Sequence, residues 1–242
     1  MEYITILLGI ILINLILSGD NAVLIALACR NLSLKQRKLS IFWGSAGAIV
    51  LRIILTIGAV LLLKIPLLKL IGGVLIVWIA FKLLMQEDES AEDDSKSTSN
   101  LWQAIKIIII ADLLMSTDNV LAIAGVSKGN VTLLAVGLAT SIPLIILGAQ
   151  FIVYLMKKFP LIIYIGAGVL GWTGGEMILG DKQVEELLDN ALSHNTIAVL
   201  EWLIPLALTL FVIFGGYWLN LCQKKRLPEI YQGEKGIEYT SE

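Results

Sequence analysis

Read for its apolar runs, the chain alternates long stretches of Ile, Leu, Val and Ala with short polar joints. A helix needs about 20 apolar residues to cross the hydrocarbon core of a bilayer. Seven stretches meet that length, at 4–28, 40–63, 66–85, 102–126, 130–156, 160–179 and 198–221. The pattern therefore predicts an all-α polytopic membrane protein with seven transmembrane helices. The first run carries no basic leader and no small-residue cleavage signal, so it is expected to be a retained helix.

The polar positions inside these runs repeat. Asn14, Ser18, Asp20 and Asn21 in the first run return as Asp112, Ser116, Asp118 and Asn119 in the fourth, with the same internal spacing. Further on, "KIPLLKLIGGVLIVW" matches "KFPLIIYIGAGVLGW", which pairs Pro66 with Pro160, Gly72 with Gly166 and Trp78 with Trp172. Shared composition explains the aliphatic residues, but not an ordered series of acids, amides, proline, glycine and tryptophan. Runs 1–3 and 4–6 read as two copies of one unit. Because three spans is an odd number, the second copy must enter the membrane upside down. The expected architecture is two inverted three-helix repeats plus one extra helix, which in secondary transporters puts the site between the copies near the midplane. In segments, this gives repeat 1 at 1–85, an acidic linker at 86–101, repeat 2 at 102–180, a loop at 181–197, the seventh span at 198–221 and a tail at 222–242.

Composition strengthens the membrane assignment: 57% of the 242 residues are hydrophobic and 16% charged, with a mean hydropathy of +0.84. A net charge of −2 offers no basic surface for nucleic acid. Two cysteines and one histidine, His194, suit neither a disulfide framework nor a thiolate–imidazole metal site. No phosphate-binding glycine loop, HExxH or Ser/Lys signature is present, so neither a nucleotide-driven motor nor an enzyme is expected. Arg30, Lys35, Arg37, Lys38, Lys96, Lys157, Lys158, Lys224, Lys225, Arg226 and Lys235 fall on one side of the spans, and Lys64, Lys128 and Lys182 on the other. The positive-inside rule then predicts an N-terminus outside and a C-terminus in the cytoplasm.

An ionised side chain at the bilayer centre costs ~2.5–3.5 kcal/mol on insertion scales, so such residues pair or line a pathway. Positions i, i+4 and i+7 share a helix face, which makes one polar stripe of Asn14, Ser18 and Asn21 and another of Asp112, Ser116 and Asn119. Asp20 and Asp118 lie about 100° off those stripes in a regular helix. Local unwinding would turn them inward, eased by Gly19 in the first copy and by Ser116 and Thr117 in the second. Arg52 sits near the middle of the second span, Glu176 late in the sixth and Glu201 early in the seventh. Asp20, Asp112 and Asp118 against Arg52 sum formally to −3 + 1 = −2, the charge a divalent cation neutralises. Carboxylate, amide and hydroxyl donors are hard oxygens, suited to Mg²⁺, Ca²⁺ or Mn²⁺. Asn14 and Ser18 equally suit hydrogen bonding between helices, and Arg52 with one aspartate equally suits a structural ion pair.

The two Ser-x-Asp-Asn phrases, "LSGDNAVLIA" and "MSTDNVLAIAG", on membrane helices either side of the acidic segment "QEDESAEDDSKSTSN", resemble the TerC family of integral membrane proteins over nearly the whole chain. The resemblance implies membership of the lysine-exporter superfamily and an association with tellurite resistance and, in bacteria, with Mn²⁺ efflux. It places the family's motif acids on Asp20 and Asp118, with Asn21 and Asn119 beside them. The expectation is a proton-coupled secondary transporter exporting a divalent cation, Mn²⁺ first and Ca²⁺ or Mg²⁺ as alternatives, across the bacterial cytoplasmic membrane. Asp20, Asn21, Asp118, Asn119, Asp112, Ser18, Ser116 and Asn14 would bind the metal. Arg52, Glu176 and Glu201 would be charge partners or gating groups. No prosthetic group is expected; the partners are the lipid bilayer, the cation, protons and, as an open alternative, a second copy of the chain. A membrane scaffold or metal-delivery partner for secreted metalloenzymes is the reading from another class.

Overall fold

The computed structural model describes residues 6–11, 18–58, 65–85, 94–127 and 131–238. These residues are helical apart from short joints, with no strand among them. In chain order the helices are α1 (6–11), α2 (Gly19–Cys29), α3 (Leu34–Ile57), α4 (Leu68–Leu84), α5 (Asp94–Ser127), α6 (Val131–Lys158), α7 (Leu161–Leu179), α8 (Lys182–Ala191) and α9 (His194–Glu238). Four stretches are long and apolar enough to cross a membrane: Leu34–Ile57, Ala135–Lys158, Leu161–Leu179 and His194–Leu219. The helix α5 starts at Asp94, inside the expected acidic linker. Asp and Ser at positions 94 and 95 are residue types favoured at helix starts. The expected loop at 181–197 contains α8, and α9 runs on past the seventh span to Glu238.

Capping chemistry sets the joints. The four last carbonyls of a helix lack intrahelical donors, and at the end of α2 Arg37 supplies them. Its Nε donates to the Cys29 carbonyl at 3.3 Å, and Nη2 to the Arg30 and Leu32 carbonyls at 3.4 and 3.0 Å. Ser33 caps α3 by accepting from the Gln36 amide. Asp181 serves two helix starts at once. Oδ1 accepts from Gln183 N at 3.1 Å at the head of α8, while Oδ2 accepts from Lys69 N and Leu70 N at 3.2 and 3.3 Å at the head of α4. Before α4, Leu67 holds a left-handed backbone at φ 58.

Packing is tightest where glycines remove side chains. A Cβ on Gly73 would collide with the Gly174 carbonyl, and one on Gly174 would stand 2.9 Å from the Gly73 carbonyl, so α4 and α7 cross almost backbone to backbone. On α7, Gly171 and Gly175 face Thr209 and Pro205 of α9 in the same way. The most extensive contacts are α4 with α7, α7 with α9, and α3 with α5. The core gathers Leu24, Leu27, Ile41, Ile76, Leu83 and Ile108 among other aliphatic residues. The outer surface is also apolar, with Trp43, Trp78, Trp102, Trp202 and Trp218 all more than half exposed. An apolar exterior of this extent suits hydrocarbon rather than water.

Candidate functional site

The first Ser-x-Asp-Asn motif stands at a helix start. Ser18 has φ −108 and ψ 10, and α2 begins at Gly19 with Asp20 in its first turn. There the Asn21 amide donates to Asp20 Oδ1 at 2.8 Å, and a carboxylate is favoured near the positive end of the helix dipole. The second motif behaves differently. The expected unwinding before Asp118 does not occur, because α5 runs without interruption from Asp94 through Asp118 and Asn119 to Ser127. Ser116 turns its hydroxyl back onto the Asp112 carbonyl one turn earlier, a local bond compatible with a continuous helix. Asn14 lies outside the described residues, as do the side chains of Asp118 and Asn119.

A buried charge centre joins α3 to α5. Arg52, 2% exposed, places Nη2 2.5 Å from Asp112 Oδ1. Its Nε donates to Ser116 Oγ at 3.2 Å, and that hydroxyl lies 3.0 Å from Asp112 Oδ2. Asp20 lies near enough to feel the charges of both Asp112 and Arg52. The helices approach closely because of two glycines. A Cβ on Gly44 would stand 2.8 Å from Ile108 Cδ1, and one on Gly47 2.7 Å from Ile109 Cδ1. Low dielectric surroundings strengthen the pair but also make it costly to break. Removing one member of a buried pair typically costs about 3–5 kcal/mol.

Beside the pair lies a cavity of about 20 Å³, lined by Asn21, Ser45, Arg52 and Asp112 and closed by aliphatic side chains of α2, α3, α5 and α6. That is room for one water-sized particle. Both polar atoms of the Asn21 amide, and the Ser45 hydroxyl, lack a hydrogen-bond partner among the described residues. Buried polar groups are almost always satisfied, so three such atoms around one cavity mark a place built for something polar. Among the described residues, no three His, Cys, Asp or Glu side chains converge as a metal cage. The donors here are instead one carboxylate, an amide and a hydroxyl.

Of the sequence-derived candidates, the structure thus brings Asn21, Arg52, Asp112 and Ser116 together, with Ser18 buried at the head of α2 and Asp20 beside it. Glu176 and Glu201 lie elsewhere. With Trp172, Trp202 and Glu185 they line a wider cleft of about 450 Å³ at the end of α7 beside α8 and α9. There Trp172 Nε1 donates to Glu176 Oε1 at 2.8 Å, and the two tryptophan rings meet edge to face at 5.7 Å. At the equivalent repeat position, the Lys82 ammonium lies 5.1 Å from the Trp78 ring centroid. Ser45 was not legible as a site residue: one serine in an apolar helix carries no pattern. The sole signal is its seven-residue spacing from Arg52, which puts both on one face.

The model of the integral membrane protein TerC family matches residues 1–226. The chain belongs to that family. Similar TerC-type relatives include three proteins of Bacillus subtilis (strain 168). The uncharacterized membrane protein YjbE is 42% identical over 223 residues, spanning 92% of this chain and 99% of its own. The uncharacterized membrane protein YkoY is 25% identical over 258 residues, covering 97% and 77%. YceF, likewise an uncharacterized membrane protein, is 28% identical over 160 residues, covering 63% and 62%. No solved structure matches the chain.

Proposed function

We propose that this TerC-family protein is a secondary transporter that exports a divalent cation, Mn²⁺ first, across the bacterial cytoplasmic membrane in exchange for protons. The observation that carries the reading is the buried Arg52–Asp112 pair next to a small cavity with unsatisfied amide and hydroxyl groups. A structural ion pair alone has no use for such a cavity. A cation does, since it takes oxygen donors of this kind. Arg52 then stands in for the cargo: its guanidinium neutralises Asp112 while no cation is bound, and releases it when one arrives.

The same reading includes seven spans arranged as two inverted three-helix repeats. Exchanging the spans of one copy for those of the other maps α2 to α5, α3 to α6 and α4 to α7. Under that exchange, the contact of α2 with α6 becomes α5 with α3, and α2 with α7 becomes α5 with α4; all four contacts occur. The helix pairs α2–α5, α3–α6 and α4–α7 map onto themselves and also pack. This supports alternating access by movement of one copy against the other around the charge centre. Exporting one positive charge against an inside-negative potential costs ~2.3 kcal/mol per 100 mV, and a dication roughly twice that. Inward protons supply this energy in the proposed cycle, with Asp20 and Asp118 taking protons from outside as the metal leaves. The cleft at Glu176 and Glu201 forms the exit vestibule.

In cells lacking other Mn²⁺ exporters, the wild-type chain should lower Mn²⁺ content and restore tolerance. Asp20→Asn and Asp118→Asn should do neither while reaching the membrane in normal amount. Full tolerance with both variants rejects the assignment of these acids; unchanged metal content with the wild type rejects export and favours a scaffold or delivery role.

A further inference from the structure

Ser45 belongs to neither repeated motif, yet it is 3% exposed on α3 with its hydroxyl unpartnered among the described residues. A serine in an apolar helix ordinarily bonds back to a carbonyl one turn earlier, as Ser116 does. Ser45 instead borders the cavity shared by Asn21 and Asp112, two helical turns from Arg52. Its walls are otherwise Leu24, Ile25, Ala48, Ile49, Ile108 and Ile145. These aliphatic walls offer nothing to a second-shell water.

We infer that Ser45 and Asn21 supply neutral oxygen ligands for the transported cation beside Asp112, in a seat that admits an ion stripped of its water and thereby rejects Mg²⁺. This rests on the transport reading and adds to it which residues bind and which ion is excluded. The size follows from the cavity: about 20 Å³ holds one particle, not an ion with its hydration shell. Mg²⁺ gives up water reluctantly and usually keeps several waters when bound. A dry seat of amide, hydroxyl and carboxylate therefore favours Mn²⁺ or Ca²⁺. Arg52 must leave Asp112 for the ion to enter, so cation and guanidinium exclude each other.

The test uses the purified full-length protein in lipid nanodiscs, with Mn²⁺ binding followed by electron paramagnetic resonance and Mg²⁺, Ca²⁺ or Cd²⁺ as competitor. Wild type should bind Mn²⁺ and lose it to Ca²⁺, but not to a large excess of Mg²⁺. Ser45→Ala should weaken Mn²⁺ binding about tenfold or more, the scale of altered metal shells, and Ser45→Thr should restore it. Ser45→Cys, similar in size but with a soft donor, should make Cd²⁺ the strongest competitor. That response requires the side chain to touch the ion and would not follow from a packing role. Wild-type binding of Mn²⁺ that Ser45→Ala and Ser45→Cys leave unchanged overturns this inference alone, leaving a cavity that holds water only. Free competition by Mg²⁺ overturns the dry seat. A wild type that binds no Mn²⁺ overturns the transport reading together with this site.

Discussion

Arg52 and Asp112 show what a single residue can and cannot reveal from its place in the chain. Both were recognisable as intramembrane charges, but their pairing was not, since 60 positions separate them and three acids competed for one arginine. The Ser45 hydroxyl was invisible for a related reason: a missing partner is a property of three-dimensional packing. Arg52→Leu or Asp112→Leu alone should lower stability by about 3–5 kcal/mol, because each strands a buried charge. The double substitution should recover most of that loss, as apolar replacements of buried pairs often do. Thermal unfolding of the purified variants in detergent checks both statements, while the double variant should carry no cation. Cys29 gives a second residue-scale prediction. It is a free thiol with no exposed surface, so maleimide should label it only after the protein is denatured.

At the scale of elements, the apolar runs located the helices well, and the joints less well. The segment at 94–101 reads as a linker by its charge, yet it forms the first turns of α5. The two copies of the motif look alike in sequence and differ in backbone. Gly19 opens α2 at the first, whereas Ser116 hydrogen-bonds within α5 and keeps the second continuous. The roles of Gly44 and Gly47 were hidden because isolated glycines carry no period; they become meaningful only against Ile108 and Ile109. Gly44→Val should force α3 off α5, stretch the Arg52–Asp112 contact and reduce transport along with stability. Asp181 permits a sharper test. Asp181→Ala leaves the Lys69, Leu70 and Gln183 amides without their carboxylate, and should cost about 1–3 kcal/mol. Asp181→Asn keeps one acceptor oxygen and should fall between; melting temperatures of the three proteins rank them.

For the whole molecule, the glycine contact between α4 and α7 and the exchange of helix partners between the copies place the charge centre where two units meet. The repeat was legible in its polar residues, since these are few and ordered. Its packing was not, because aliphatic surfaces accept many partners. The proposed topology predicts that a cysteine placed in the 86–93 segment reacts with an impermeant thiol reagent only from the cytoplasmic face. One at exposed Glu186 of α8 should react only from outside. Reaction of both from one side would contradict seven spans with the expected orientation.

The central claim, that the buried charges exist to carry a divalent cation, is tested most directly by purified protein sealed into vesicles with a Mn²⁺-quenched dye inside. Wild type should give rapid quenching on external Mn²⁺ addition, faster with an outward-directed proton gradient, and Asp20→Asn and Asp118→Asn should match protein-free vesicles. Quenching by wild type no faster than that of empty vesicles would contradict it.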